Sequence, residues 1–144
     1  MSAQDVDTSY LQTLLGYNAR RAALVIIERF IQDMASFDLR PVDFSVLSVI
    51  FHNPGVTSRQ LCAALSILPP NLVGLIKALE KRELIERRPH PQDGRALGLH
   101  TTAAGQQLMK QAEKQAAETE RLVAHRLAPQ EQQQLIALLQ KIYL

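Results

Sequence analysis

A mainly α fold interrupted by one small β-hairpin is the fold class this sequence predicts, and three observations predict it. Apolar residues recur at three- and four-residue spacing through most of the 144 residues. The period falls to about two only between Leu84 and Thr101. Proline and glycine gather where one periodic stretch gives way to the next, as helix and strand boundaries require.

The elements follow in order. From Tyr10 to Phe37 the residues Leu11, Leu14, Leu15, Ala22, Val25, Ile26, Phe30 and Met34 make the wide apolar stripe of a long helix. "RPVDFSVLSVIFHNPG" opens with Pro41 at a first helical position and closes at Asn53-Pro54-Gly55, which predicts a short buried helix. In "TSRQLCAAL", Thr57 and Gln60 have the capping-box spacing that satisfies the orphan amides of a helix start. "SILPPN" stops that helix. Pro69 and Pro70 lack amide hydrogens and suit the first turn of the next one, "PPNLVGLIKALEKREL". There Leu72, Leu75, Ile76 and Leu79 share one face, while Asn71, Gly74, Lys77 and Lys81 turn away from it.

"LIERRPH" and "ALGLHT" then pair as strands around "PQDG", where Pro91, Asp93 and Gly94 supply turn chemistry. Thr102 caps a further long helix to about Leu127. Pro129 opens the last helix, with Leu135, Leu138, Leu139 and Ile142 as its stripe.

Composition bounds the function. Hydrophobic residues at 47% and charged residues at 21% are globular values, and the length suits one domain. With no tryptophan and few aromatics, the core must be aliphatic. Cys62 stands alone, which excludes an internal disulfide and fits a reducing compartment. "MSAQDVDTSY" is acidic and polar, so no signal peptide is expected, and the apolar run from Ala22 to Ile27 is too short to span a bilayer. A cytoplasmic protein with no membrane partner is expected. The chain has no nucleophile-elbow, zinc-protease or phosphate-loop motif, and His52, His90, His100 and His125 lack metal-site spacing. The sequence therefore points to no enzyme, no metal and no cofactor.

Net charge is only +2, but its distribution is uneven. Residues 1–56 carry four basic and six acidic groups, net −2, whereas residues 57–95 carry seven and four, net +3. The surplus sits around two short helices, the second with an outward polar face, followed at once by a hairpin. That order describes a winged helix-turn-helix, whose second helix lies in the major groove of double-stranded DNA while the hairpin reaches sugar-phosphate or the adjacent minor groove. Arg87 and Arg88 are placed for phosphates, and Arg95 for a narrow groove, with Asp93 holding the turn or orienting a guanidinium. On the recognition helix Asn71 suits adenine and Val73 a thymine methyl; Pro70, Gly74 and Lys77, with Arg59 of the preceding helix, complete the candidate DNA surface.

"LEKRELIERRPHPQDGRALGLHTTAAG" resembles the corresponding run of the MarR family of bacterial transcriptional regulators. Leu79, Glu80, Arg82, Leu84, Arg87, Pro89, Asp93, Arg95, Leu97, Thr102 and Gly105 match its pattern, and the order of helices matches over nearly the whole chain. Two positions depart from it. Gly94 stands where the family usually has arginine, and Glu83 where it usually has glycine.

The resemblance implies a homodimer in one intertwined structural domain. Residues 1–38 would be an N-terminal dimerisation helix, and residues 39–101 the winged helix-turn-helix, with its recognition helix at about 69–83 and its wing at about 84–101. Residues 102–144 would be C-terminal dimerisation helices. Such dimers read pseudo-palindromic operators with half-sites about one helical turn apart. The resemblance also implies release by a small aromatic acid or its coenzyme A thioester, in a cleft between the dimerisation helices and the winged lobe. "LLGYNARRA" is similar to the first-helix text of members that control aromatic-acid degradation, which makes Tyr17, Asn18, Arg20 and Arg21, with Phe44 and His52, the candidate ligand contacts. A repressor of aromatic catabolism or efflux genes is the expectation. The alternatives are an activator, a redox-sensing regulator using Cys62, or a protein-interaction module that keeps the winged fold without reading DNA sequence.

Overall fold

The computed structural model describes residues 6–92 and 97–144. Along the chain run α1 (Leu15–Met34), α2 (Pro41–His52), α3 (Ser58–Leu65), α4 (Pro69–Lys81), β1 (Ile85–Pro89), β2 (Leu97–Thr101), α5 (Ala103–Val123) and α6 (Pro129–Tyr143). Two 3₁₀ turns, Leu11–Thr13 and Ala35–Phe37, flank α1. This is the helical fold with one hairpin that the periodicity predicts.

Two predicted ends move. The first helix begins at Leu15, because Leu14 is extended (φ −94°, ψ 131°) and the Asn18 amide donates to the carbonyls of Gln12 and Leu14, both at 2.8 Å. The helix expected to run to about Leu127 ends at Val123.

By contacts the chain forms two compact units, Asp33–Ala116 and the paired termini Met1–Gln32 with Ala117–Leu144. In the central unit the core is built from Leu47, Ile50, Leu61, Leu72, Ile76 and Met109, each at most 2% exposed, and is aliphatic as the composition requires. α2 starts at Pro41, and the Asp43 carboxylate accepts from the Arg40 backbone amide at 3.0 Å and from the Arg40 guanidinium at 2.8 and 2.9 Å. Burial pushes the Asp43 carboxyl up, but the bonds and charge of Arg40, helped by Arg82, outweigh it and hold it below the usual aspartate value.

α3 begins with the capping box: the Thr57 hydroxyl accepts from the Gln60 amide at 3.3 Å, and the Gln60 side chain accepts from the Thr57 amide at 3.0 Å. Ser66 ends it in the left-handed region (φ 53°), and Pro69 and Pro70 restart the chain as α4, bent 114° from α3. That is a helix-turn-helix crossing.

α4 ends in a left-handed Glu83 (φ 58°), with the Leu84 amide donating back to the Leu79 carbonyl at 3.1 Å. The turn forms without the family's glycine. Thr102 secures it, its hydroxyl donating to the Glu83 carbonyl at 2.6 Å and its amide to the Leu84 carbonyl at 3.0 Å. Arg82 anchors the same corner by donating to the Asp38 and Phe37 carbonyls at 2.7 and 3.0 Å.

β1 and β2 pair antiparallel, Ile85 opposite Thr101 and Pro89 opposite Leu97, and Val56 bridges to Leu99 on the far edge. α5 starts as predicted, the Gly105 amide donating to the Thr102 hydroxyl at 3.1 Å.

In the terminal unit the apolar stripes of α1 and α6 stay largely uncovered. Leu15, Val25, Ile31, Leu138, Ile142 and Tyr143 are all at least half exposed. A hollow of about 470 Å³ lies among Val25, Ile26, Leu127, Leu135, Ile136 and Leu139. Among the described residues, no single helix is long and apolar enough to cross a membrane.

Candidate nucleic-acid interface

The helix-turn-helix bend decides what α4 shows. Leu72, Ile76 and Leu79 are buried, which fixes the opposite row of Pro70, Asn71, Val73, Gly74, Lys77 and Lys81 in solvent. This is the division that the apolar spacing predicts. Lys77 and Lys81 have no acidic partner among the described residues, and neither does Arg59, exposed on the first turn of α3.

Between α3, α4 and β1 lies a hollow of about 400 Å³ lined by the apolar side chains of Leu72, Val73 and Ile76 and by the cations Arg59, Lys77 and Arg87. Three cations thus converge on the surface that also carries the outward row of α4. Cys62, half-buried, lines the same hollow.

The two wing-strand arginines are not free. Arg87 donates from Nε at 3.0 Å and Nη2 at 2.8 Å to one carboxylate oxygen of Glu80 on α4. Arg88 pairs with Glu86, two residues before it on the same strand. Sequence reasoning treats both as phosphate contacts and misses their carboxylate partners, although Glu86 stands two residues before Arg88. Asp93 and Arg95, with Gly94, lie outside the described residues.

The candidate ligand contacts fall in both units. On the first turns of α1, Tyr17 is half-buried, while Arg20 and Arg21 are exposed and have no partner among the described residues. The Asn18 amide nitrogen is engaged by the Gln12 and Leu14 carbonyls, so its amide group serves the helix start. In the central unit Phe44 is half-buried on α2. His52, at the end of α2, meets Glu113 of α5 at 2.6 Å and stands edge-on to Phe51 with ring centroids 5.0 Å apart.

Comparisons with known proteins agree with this architecture. The family model described as MarR family matches residues 37–96, the segment from the 3₁₀ turn after α1 to the hairpin. The transcriptional repressor CouR, solved bound to a 23-mer DNA duplex, superposes with a TM-score of 0.89 at 33% identity, covering 96% of this chain and 98% of that one. A Thauera aromatica protein named for transcriptional regulation of the hcr operon is 28% identical over 130 residues, 90% of this chain and 78% of that protein. The Mycobacterium tuberculosis repressor Rv2887, solved with salicylic acid, superposes with a TM-score of 0.73 at 26% identity, covering 90% of this chain and 96% of that one. The fold, the helix-turn-helix geometry and these likenesses have one reading: the chain belongs to the MarR family of transcriptional regulators.

Proposed function

We propose that this chain is a repressor that holds a pseudo-palindromic operator as a homodimer and releases it when a small aromatic acid, or the thioester of one, binds. The observation that carries the reading is the convergence of the outward row of α4 with the cations Arg59, Lys77 and Arg87. A helix so presented enters a major groove while cations on its flanks neutralise phosphates. On this reading Asn71 meets an adenine edge, Arg88 meets phosphate, and Arg95 enters the minor groove with Asp93 orienting it. The likeness to a repressor solved on a DNA duplex supports this half of the proposal.

The uncovered stripes of α1 and α6 support the homodimer, since contiguous exposed apolar surface of this extent marks an interface. A second copy supplies the matching stripe by symmetry. The likeness to a relative solved with salicylic acid supports the aromatic effector. Arg20 and Arg21 offer exposed guanidinium groups suited to a carboxylate, with Tyr17 beside them on α1. The regulated genes serve breakdown or efflux of aromatic compounds, in the cytoplasm.

Release is a population shift. The effector lowers operator affinity by the difference between its affinities for the DNA-competent and incompetent conformations, and by no more. The test is fluorescence polarisation of the full-length protein on duplexes enriched from a random library and on scrambled duplexes. It is run at two salt concentrations, with benzoic, salicylic and cinnamic acids and their coenzyme A thioesters. The expected result is a preference of at least ~10³ for the enriched duplex, abolished by one of the compounds. Equal, salt-labile binding to both duplexes would refute sequence-specific repression.

A further inference from the structure

Helix α4 carries a glycine that no contact among the described residues requires. Gly74 is exposed in the middle of Pro69–Lys81 and is not among the residues of positive φ. Apart from proline, glycine is the poorest residue for such a position, because it loses the most backbone freedom. A glycine is often kept where a neighbour leaves no room for a side chain. Gly105 is such a case, since a Cβ there would stand 2.0 Å from the Leu84 carbonyl oxygen. At Gly74 a Cβ would meet no atom within 4 Å beyond its own helical turns, among the described residues. Packing among the described residues therefore does not account for the missing side chain.

On the reading proposed above, on which this inference rests, what Gly74 faces is a major groove. The residues around Gly74 on the exposed face are Pro70, Asn71, Val73, Lys77 and Ala78. Pro70 and Ala78, four residues either side on the same face, give Gly74 apolar neighbours, with Val73 next to it in sequence. In mid-helix the Gly74 amide is committed to the hydrogen bond four residues back, so the bared backbone offers no donor to a phosphate or a base nitrogen. The base-edge group that gains from close approach to such a surface is itself apolar, the C5-methyl of thymine.

We propose that Gly74 determines operator specificity by the absence of a side chain, letting α4 come close enough to seat a thymine methyl against Gly74 and Val73. The test compares full-length wild type with Gly74→Ala, using duplexes enriched by the wild type from a random library, scrambled duplexes, and enriched duplexes in which deoxyuridine replaces thymine. Gly74→Ala should raise Tm by about 2–4 °C, weaken binding to the enriched duplex at least about tenfold, and leave scrambled-duplex binding within about twofold. Deoxyuridine at one position per half-site should weaken wild-type binding about 3–10-fold and weaken the variant's binding less. A fall in Tm would place the need for glycine inside the fold and overturn the proposal. So would unchanged affinity of the variant for the enriched duplex, or indifference of the wild type to deoxyuridine. Failure of the wild type to enrich any sequence would overturn the reading of α4 on which the proposal stands, a result distinct from the others.

Discussion

Glu80 on α4 and Arg87 on β1 are joined through a single carboxylate oxygen, 2.8 Å from Nη2 and 3.0 Å from Nε. The pair ties the outward-facing helix to the first strand of the hairpin, and its guanidinium also lines the cationic hollow. With the Arg87 side chain 38% and the Glu80 side chain 33% exposed, it adds little to stability. On the proposed reading its weight falls on DNA binding, because a phosphate would compete with Glu80 for Arg87. Glu80→Gln removes the competitor and one repelling charge. Binding to a scrambled duplex should tighten, and the slope of log K against log salt should steepen by about 1. An unchanged slope in the salt titration would mean that Arg87 gains no phosphate contact when Glu80 loses its charge.

Acid should weaken the start of α2. The Asp43 carboxyl titrates below its ordinary value of 3.8 when folded, despite its burial, because of the bonds and charge of Arg40. Its stabilising contribution is therefore complete above the unfolded value and is lost as pH falls through the folded one. Asp43→Asn, which keeps an N-terminal hydrogen-bond acceptor but no charge, should cost about 1 kcal/mol at neutral pH. The difference between variant and wild type should shrink as pH drops below about 4. Urea melts at neutral and acid pH read both effects; a difference independent of pH would remove the ion pair from the account.

The corner after α4 makes two predictions of opposite sign. Glu83 occupies a left-handed conformation that costs a non-glycine residue about 1 kcal/mol, so Glu83→Gly should stabilise by about 0.5–1 kcal/mol. Gly105→Ala drives a Cβ against the Leu84 carbonyl oxygen at 2.0 Å, a clash with backbone that neither partner relieves by rotation. A loss of about 3 kcal/mol or more is expected. Thermal unfolding of the two variants side by side checks both signs at once.

Where the sequence is informative, one residue type has one local consequence. Thr57 with Gln60, Pro41, Pro69 and Pro70, and Thr102 each announce a helix start from a few neighbouring letters, and each stands where its chemistry puts it. The 3₁₀ turn at Leu11–Thr13 is not legible, because Leu11, Leu14 and Leu15 continue the helical period through the break. Long-range anchors escape for a different reason. Arg82 reaching the carbonyls of Phe37 and Asp38, or Arg87 reaching Glu80, depends on how elements fold back on one another, which spacing along the chain does not encode. Basic letters near the hairpin thus reveal the charge of the surface but not which of its cations are already engaged.

The face of α6 offers the most direct test of association. Leu138 and Ile142 lie one turn apart and are 50% and 63% exposed. Replacing them as Leu138→Glu with Ile142→Lys removes two apolar contacts while creating an i, i+4 pair of the favourable orientation, so the helix itself should persist. Far-ultraviolet circular dichroism should stay near wild type. Sedimentation should shift from dimer to monomer, and affinity for an enriched palindromic duplex should fall by about 10²–10⁴, the advantage that linking two half-site contacts confers. Affinity for a single half-site should change little. A variant that remains dimeric, or a wild type that sediments as a monomer, would show that the exposed stripe of α6 serves something other than a second copy.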